Sequence, residues 1–309
     1  MAKVNESFQI APASAESLAA ALDLVFGDQD FQQRAARVET WPIGTVGEGL
    51  AEGVLEARRH GRLIAAIAWQ LQEGKAALTW PPRAIGGEPA AALEKLLEAM
   101  LQRLARDGVR VVHVLFEEVR QDDDRLLRSF GFQPLAELLY LVSEEIDFPR
   151  IQPVGPLEFE LYGPGNHARL AAVVEATYEG TLDCPALDGV REVEDVLAGY
   201  RSSGVFRPDS WTIARHQGRD VGCLLVVDHP EFDNGELVYM GLVPSARGHG
   251  WGVQLAQHAQ WTARCLGRRR LVVAVDAKNV PALRIYTAVG FRQFDQRTVY
   301  LKVVPPVTA

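Results

Sequence analysis

The hydrophobic and polar residues follow the same order of patterns in the two halves of the chain. A short strand-like segment opens each half, at Ser7–Ala11 and Leu157–Tyr162. Helical periodicity follows at Ala15–Phe26 and Asn166–Tyr178, and a second helical stretch comes after it in both halves. The shared order predicts that the two halves contain the same succession of elements.

Strands dominate the middle of each half. They are predicted at Leu63–Leu71, Lys75–Trp80, Trp211–His216, Val221–Asp228 and Glu236–Val243. A long amphipathic helix is predicted next in each half, near Pro89–Arg106 and Gly250–Leu266. The strands Val109–Phe116 and Arg270–Val275 follow, and their continuous apolar runs are typical of strands buried on both faces.

Each half ends with the same two dipeptides. A short helix ends in Gly-Phe, at Gly131–Phe132 and Gly290–Phe291, and the last strand carries Tyr-Leu, at Tyr140–Leu141 and Tyr300–Leu301. The spacing from the first copy to the second is almost the same for the two dipeptides. Because such constant spacing is typical of internal repeats, the sequence predicts a duplicated domain.

The segment Asp147–Pro156 separates the repeats. It contains three prolines, which block the continuation of both helices and strands. We therefore predict domains at 1–147 and 157–309, joined by a linker at 148–156. The length of 309 residues agrees with two domains of about 150 residues each.

The overall composition is that of an ordinary globular protein, with 48% apolar and 23% charged residues. The chain has 32 Lys and Arg residues against 40 Asp and Glu residues, a formal charge of −8. Since no strong cationic field is available, we expect neither nucleic acid nor an anionic membrane as a main partner.

Cysteine usage and hydropathy predict a cytoplasmic protein. Cys184, Cys223 and Cys265 are far apart and form no Cys-x-x-Cys pair, so we expect neither a disulfide framework nor a metal site. Residues 1–10 include Glu6 and lack an apolar core, unlike a signal peptide. No segment approaches the ~18 apolar residues of a membrane-spanning helix.

A glycine-rich loop is the strongest candidate for a binding site. The strand Glu236–Val243 leads into Arg247–Gly252, and a helix follows over Val253–Leu266. The first N–H groups of a helix have no partner within the helix, and the helix dipole is positive there. The loop glycines lack side chains that would keep an anion from these amides, so the segment is a candidate pyrophosphate cradle. These glycines are Gly248, Gly250 and Gly252.

Other interpretations of the loop remain open. A dinucleotide-binding loop requires Gly-x-Gly-x-x-Gly, but the third glycine falls one residue early at Gly252, with Val253 in its place. A Walker loop requires Gly-Lys-Ser/Thr, which is absent. Glycine turns without any function are also common, so the loop alone does not decide between an anion site and a simple turn.

The residues after the loop extend the comparison. Arg247–Gly252 resembles the R/Q-x-x-G-x-G/A acyl-CoA loop of GNAT-type N-acetyltransferases. Asn279–Tyr286 and Gly290–Phe291 resemble the next motif of that family, and the resemblance covers about residues 157–303. It implies the α/β (α+β) class, with two tandem GNAT-like domains. Each would have a mixed, mostly antiparallel twisted sheet flanked by helices, with a splayed pair of parallel strands.

The resemblance also implies a cofactor site for acetyl-CoA. The cosubstrate would lie where the strands Glu236–Val243 and Arg270–Asp276 separate, with strand amides near Leu242 and Val243 facing its pantetheine arm. The implied cofactor-binding residues are Leu242, Val243, Arg247, Gly248, His249, Gly250, Trp251, Gly252, Val253, Asn279 and Ala282.

Tyr286 and Glu236 are the candidate catalytic residues. Asn279 and Tyr286 are seven residues apart and share one helical face, and the Tyr286 phenol suits a proton donor to a departing thiolate. Strand alternation places Glu236, Val238 and Met240 on one face. This strand is similar to one in the mycothiol synthase family, which implies that Glu236 is the general base. A core tyrosine and a solvated strand-end carboxylate are the plain alternatives.

The acceptor side carries weaker signals. Asp183 or Glu179 could hold a cationic acceptor, and Cys184 is a candidate nucleophile without a visible His or Asp partner. In the first repeat, Glu88 lies where Arg247 would be and Leu127 lies where Tyr286 would be, while Gly86–Gly87 remain. We therefore predict that the first repeat has lost the site.

Together these features predict an N-acetyltransferase that moves an acetyl group from acetyl-CoA to a primary amine of a small molecule. Transfer would be direct, in a ternary complex, with the protein a monomer or a homodimer. A non-catalytic acyl-CoA-binding or sensor protein is the main alternative, and a nicotinamide enzyme that uses the glycine loop is a third.

Overall fold

A computed structural model describes residues 8–27, 50–86, 88, 90–187 and 189–305. Ser7, Gly87 and Pro89, which the sequence interpretation used, lie outside these residues. The chain divides into two compact units. The first comprises Met1–Leu115, Val119–Pro134 and Tyr300–Ala309, and the second comprises Phe116–Glu118 and Leu135–Val299.

The first unit combines a five-stranded sheet with three helices among its described residues. Its strands are β1 (Gln9–Ser14), β2 (Leu50–Arg59), β3 (Arg62–Gln72), β4 (Ala76–Ala84) and β5 (Val111–Phe116), in that order across the sheet. Its helices are α1 (Leu18–Val25), α2 (Ala90–Arg106) and α3 (Gln121–Ser129). Neighbouring strands from β1 to β4 are antiparallel, whereas β4 and β5 are parallel.

The second unit repeats this plan. Its strands are β6 (Gln133–Glu144), β7 (Glu158–Leu161), β8 (Trp211–His216), β9 (Arg219–His229), β10 (Asn234–Leu242), β11 (Arg270–Asp276) and β12 (Arg292–Val303). Its helices are α4 (His167–Tyr178), α5 (Val193–Ser202), α6 (Trp251–Cys265) and α7 (Val280–Ala288). Six strands follow the order β6-β11-β10-β9-β8-β7, and β10 with β11 is the parallel pair. The predicted fold class is confirmed.

The compact units do not follow chain order. β6, the last strand of the first sequence repeat, pairs antiparallel with β11, from Glu144 opposite Arg270 to Leu138 opposite Asp276. Residues 300–303 at the end of β12 belong to the first unit. The boundaries 1–147 and 157–309 describe sequence repeats and stay a prediction, because compactness divides the chain differently.

Two apolar clusters lie on opposite faces of the second sheet. Alternation along β9 separates them: Leu224 and Val226 pack with α6, whereas Cys223 and Leu225 pack with α4 and α5. The antiparallel strand therefore buries both faces, which explains why its sequence is a continuous apolar run. No described helix is long and apolar enough to cross a membrane.

The end of the predicted linker is fastened to α6. The side-chain amide of Gln254 donates to the Leu157 carbonyl oxygen and accepts from the Leu157 N–H, both at 3.1 Å. Gln254 is buried, so this pair satisfies polar groups that would otherwise be costly to bury. The entry of the chain into β7 is thereby fixed against the helix that carries the glycine loop.

Candidate functional site

The parallel strands β10 and β11 pair at only three positions. Asn234–Glu236 lies beside Arg270–Val272, and beyond these residues the two strands separate. A cavity of about 220 Å³ opens in the gap. Its walls include Leu237–Leu242 of β10, Val273–Val275 of β11, Gly252 and Leu255 of α6, and Asn279, Ala282, Ile285 and Tyr286 of α7. The predicted separation of these strands is therefore present.

A β-bulge in β10 interrupts the alternation of side chains that the sequence predicts. The register with β9 shifts between Leu237 and Tyr239, because the bulge places an extra residue in β10. As a result Val238 and Tyr239 both pack on the cluster beside α4, whereas Met240 packs on the cluster beside α6. Glu236, Val238 and Met240 therefore do not share one face, contrary to the strict alternation that we expected.

At the end of β10, only one of the two predicted strand N–H groups is available to a ligand. The Val243 N–H donates to the Val221 carbonyl oxygen at 3.0 Å, so it is not available to a ligand. Leu242 lies opposite Gly222, one position along. Antiparallel pairing alternates the direction of peptide groups, so the Leu242 peptide groups point away from β9 and into the gap. Of the pair Leu242 and Val243, only Leu242 presents its N–H to the cavity.

Arg247 fastens the loop instead of facing the cradle. Its Nε donates to the Leu242 carbonyl oxygen at 3.0 Å. Its Nη1 and Nη2 donate to the carbonyl oxygens of Gly180 at 3.2 Å and Thr177 at 2.8 Å, at the end of α4. The Arg247 N–H donates to the Pro244 carbonyl oxygen. A cation that satisfies these terminal carbonyls positions the glycine loop, and its charge is directed at α4.

The glycine loop exposes a run of N–H groups. Among the described residues, none of the N–H groups of Gly248–Gly252 has a hydrogen-bond partner, and the first to have one is that of Val253, which donates to the Gly250 carbonyl oxygen. Gly248 and Gly250 have φ of 81° and 75°, in the left-handed region that glycine adopts without strain. No side chain caps the start of α6. Five successive N–H groups are therefore available to an acceptor, which is the arrangement that an anion cradle requires.

The three loop glycines have different roles. A Cβ at Gly252 would lie 2.4 Å from Cδ1 of Ile285, so this glycine permits the close packing of α6 on α7. A Cβ at Gly248 or Gly250 would meet nothing within 4 Å. These two glycines are required by their backbone conformation. We expected all three glycines to clear space for the anion. At Gly252 the structure gives a different reason for glycine, which is the close contact with Ile285.

His249 and Trp251 flank the cradle. Their rings stack with centroids 4.8 Å apart, and the ring centroid of His216 lies 4.5 Å from that of Trp251. His249 is exposed and Trp251 is half-buried. The rings of His249 and Trp251 therefore lie next to the N–H groups of the loop.

Asn279 begins helix α7 and lines the cavity. Its Oδ1 accepts a hydrogen bond from the Ala282 N–H at 3.3 Å, which satisfies one of the unpaired donors at the helix start. Asn279, Ala282 and Tyr286 all face the cavity. The seven-residue spacing thus brings Asn279 and Tyr286 to one ligand-accessible side of the helix.

Tyr286 presents a buried phenol to the gap. Only 5% of the residue is exposed, and its ring packs on Phe291 at 5.2 Å. Its hydroxyl makes no hydrogen bond within the described part of the chain. Burial raises the pKa of Tyr286, and the charge of Asp183 raises it further. The phenol therefore keeps its proton at neutral pH and can act as a donor.

Glu236 lies at the last position of β10 that pairs with β11, outside the cavity walls. Its Oε2 is 2.9 Å from Nε2 of His229, and 35% of its side chain is exposed. The hydrogen bond to Glu236 raises the pKa of His229 above its ordinary value of 6.5. Glu236 is therefore held by a histidine, a partner that the sequence interpretation did not identify.

Asp183 is part of the candidate site, although its sequence signal was weak. It lines the cavity, and its Oδ1 accepts from the Asp276 N–H at 3.1 Å. The residue is exposed as a whole and borders the cavity. Desolvation raises the pKa of Asp183, opposed by the hydrogen bond from the Asp276 N–H and supported by the charge of Asp276.

The alternatives near Asp183 are less suited to chemistry. Burial, with the charges of Asp183 and Asp276, raises the pKa of the Cys184 thiol to about 12, so a thiolate nucleophile is disfavoured at neutral pH. Glu179 is exposed and lies outside the cavity walls. The described residues contain no cluster of three His, Cys, Asp or Glu side chains that could hold a metal ion.

Two described positions of the first repeat differ from those of the candidate site. Glu88 forms an ion pair with Arg59 at 3.0 Å, and Leu127 is fully buried at the position equivalent to Tyr286. Gly87 lies outside the described residues. An acid at the equivalent loop position repels an anion, and an aliphatic side chain in place of the phenol cannot donate a proton.

Sequence comparisons identify acetyltransferases that are similar to this chain. Residues 176–291 match the sequence model of the Acetyltransferase (GNAT) family. A mycothiol acetyltransferase from Mycolicibacterium paratuberculosis is 30% identical over 196 residues, 58% of this chain and 59% of that protein. One from Pseudarthrobacter chlorophenolicus is 24% identical over 220 residues, 67% of this chain and 64% of that protein. The matched segments thus span less than two thirds of these curated relatives.

Solved structures share the fold over nearly the whole chain. A GCN5-related N-acetyltransferase from Sphaerobacter thermophilus superposes with a TM-score of 0.61 at 17% identity, covering 98% of both chains. A glucosamine N-acetyltransferase region of a fungal multi-domain β-N-acetylglucosaminidase gives a TM-score of 0.60 at 14% identity, covering 96% of this chain and 38% of that one. At these identities the likeness establishes the fold.

Proposed function

We propose that the protein transfers an acetyl group from acetyl-CoA to a primary amine of a small molecule, because residues 176–291 match the GNAT acetyltransferase family. The observation that carries the proposal is the run of five unpaired N–H groups at Gly248–Gly252, beside the cavity between β10 and β11. An anion cradle next to a narrow gap suits a ligand with a diphosphate and a slender arm.

The residues present fit coenzyme A. The N–H groups of Gly248–Gly252 bind the diphosphate, and α6 adds the positive end of its dipole. The Leu242 N–H and the surface of Asn279 and Ala282 line the path of the pantetheine arm. Holding the diphosphate at one end fixes the thioester at the other, which supplies catalysis by proximity.

The reaction is a direct transfer in a ternary complex. The amine nitrogen attacks the thioester carbonyl carbon, and the N–H donors of β10 near Leu242 stabilise the developing oxyanion. The carbon–sulfur bond then breaks, and the amide product keeps the acetyl group. Tyr286 donates its proton to the departing thiolate, and solvent restores that proton.

Glu236 accepts the proton that the amine loses. Because Glu236 lies outside the cavity walls, the proton travels through a water molecule. Its hydrogen bond with His229 fixes the carboxylate at the base of the gap, on the strand that lines the cavity. A held carboxylate near solvent is suited to receive protons repeatedly.

The acceptor is a small molecule in this proposal. The curated relatives are named mycothiol acetyltransferases, so a mycothiol-related amine is one candidate. The sequence repeat at 157–309 carries the activity, whereas the repeat at 1–147 has lost it. We also propose a cytoplasmic location, which is supported by three free cysteine thiols.

Binding and activity measurements test the proposal. Calorimetry with coenzyme A is expected to show binding, and a panel of primary amines is expected to include one that releases thiol from acetyl-CoA. The amide product, identified by mass spectrometry, distinguishes transfer from hydrolysis. Binding without thiol release would instead identify a non-catalytic acyl-CoA-binding protein, and absence of binding by folded protein would reject both functions. Light scattering distinguishes a monomer from a homodimer.

A further inference from the structure

The acceptor end of the cavity is acidic. Asp183 is one of two residues with charged side chains among the described cavity walls, and Arg247 is the other. The Arg247 guanidinium donates to the carbonyl oxygens of Leu242, Gly180 and Thr177, so its donors are directed away from a ligand. The charge that a ligand meets inside the cavity is therefore negative.

The Asp183 carboxylate is held in place and keeps one oxygen free. Oδ1 accepts from the Asp276 N–H, whereas Oδ2 has no hydrogen bond within the described residues. The Asp183 N–H donates to Oγ1 of Thr181 at 3.0 Å, which also fixes the turn. A carboxylate anchored through one oxygen presents the other in a defined direction.

A second polar group, the Tyr286 hydroxyl, faces the same cavity and lies where the proposed transfer brings thioester and amine together. Tyr286 is 5% exposed, lines the same cavity, and has a hydroxyl without a hydrogen-bond partner among the described residues. The charge of Asp183 acts on this phenol. The hydroxyl therefore has a donor and an acceptor position available to a ligand in the cavity beside Asp183.

We propose that the Asp183 carboxylate binds the ammonium group of the acceptor, so that the acceptor is a cationic amine that enters beside residues 180–187. The inference rests on the proposed acetyl transfer and names the substrate class for that site. Glu236 is less suited to this contact, because it is paired with His229 and lies outside the cavity walls.

Asp183→Asn is the decisive variant. Asparagine keeps an oxygen for the Asp276 N–H and removes the charge, so the fold should be unaffected. Glu179→Gln is the matched control, because Glu179 is an exposed carboxylate on the same segment and outside the cavity walls. With the best amine of the panel, Asp183→Asn is expected to raise the amine KM about tenfold to a hundredfold. The KM for acetyl-CoA should stay within about twofold, as should both constants of Glu179→Gln.

A binding measurement separates this proposal from the transfer activity. Ligand-observed NMR with the coenzyme A complex compares n-butylamine, a cation at neutral pH, with neutral n-butanol. The native protein is expected to bind the amine in preference, and Asp183→Asn is expected to lose that preference. Equal binding of amine and alcohol, or an unchanged amine KM in Asp183→Asn, would overturn the role of Asp183. Amine-selective binding without thiol release would retain that role and reject the acetyl transfer.

Discussion

Arg83 forms a two-pronged ion pair with Asp123 in the first unit, with N–O distances of 2.7 and 3.0 Å. At the spacing that relates the two Gly-Phe pairs, Arg83 on β4 corresponds to Leu242, and Asp123 on α3 corresponds to Ala282. In the first repeat an ion pair therefore connects the two positions that line the cavity in the second.

This ion pair predicts one coenzyme site per chain. β4 and β5 separate after three paired positions, as β10 and β11 do, but the Arg83–Asp123 pair crosses the first gap. Isothermal titration with coenzyme A should give a stoichiometry of one per chain. A second equivalent, even of weaker affinity, would contradict the loss of the first site.

The same ion pair predicts a non-additive effect on stability. Arg83→Leu leaves the buried Asp123 carboxylate without this partner and should lower the free energy of unfolding by about 3 kcal/mol. The double variant Arg83→Leu/Asp123→Leu should recover much of that loss, because no unpaired charge remains. Urea unfolding of the native protein, both single variants and the double variant measures the coupling. Simple addition of the two single effects would argue against a cooperative pair.

The anion cradle predicts that Gly250→Glu abolishes coenzyme A binding. The new side chain brings bulk and negative charge to the loop, and it also strains a backbone with φ of 75°. Gly267→Glu is the matched control, since Gly267 has φ of 73°, equally open surroundings and a position after the end of α6. Calorimetry should show normal affinity in the control and no binding in Gly250→Glu. Similar affinities in the two variants would reject the cradle.

The sequence predicts those parts of the site that depend on local conformation. The N–H cradle follows from a glycine-rich loop that opens a helix, and the common face of Asn279 and Tyr286 follows from helical spacing. The duplicated fold follows from the constant spacing of motifs. Each of these features depends either on a few neighbouring residues or on the constant spacing of repeated motifs.

The remaining features depend on partners distant in the chain. The bulge in β10 appears only in its register with β9, and the Val243 N–H is occupied because Val221 faces it. Arg247 contacts the end of α4 about 70 residues away in sequence. Asp183 reaches the cavity because the Asp276 N–H holds it there. No local pattern encodes these contacts.

Tyr286→Phe is expected to lower kcat about a hundredfold with little change in coenzyme A affinity. Phenylalanine keeps the ring on Phe291 and removes the hydroxyl that faces the cavity. Stopped-time assays of thiol release and calorimetry measure the two quantities separately. Tyr162→Phe serves as the control, because Tyr162 is a partly buried tyrosine that lies outside the cavity walls. If both variants retained full turnover, Tyr286 would be a core tyrosine only.

The buried histidine of α6 predicts how stability depends on pH. His258 stacks on Phe159 at 3.6 Å, and burial lowers its pKa from 6.5 to about 4. The unfolded chain therefore takes up a proton below pH 6.5, whereas the folded chain does so only near pH 4. Stability should fall as the pH drops through this window, by up to about 3 kcal/mol from this group, and should be fully present above pH 6.5.

His258→Leu isolates the contribution of His258 to this pH dependence. Leucine fills a similar apolar space against Phe159 without a titrating group, so the variant should lose less stability than the native protein between pH 6.5 and 4. Urea midpoints at half-unit pH steps measure both curves. His216, whose Nδ1 lies 2.9 Å from the Pro156 carbonyl oxygen on the surface, provides the control variant His216→Leu. Parallel curves for the native protein and His258→Leu would show that burial of His258 does not cause the loss of stability between pH 6.5 and 4.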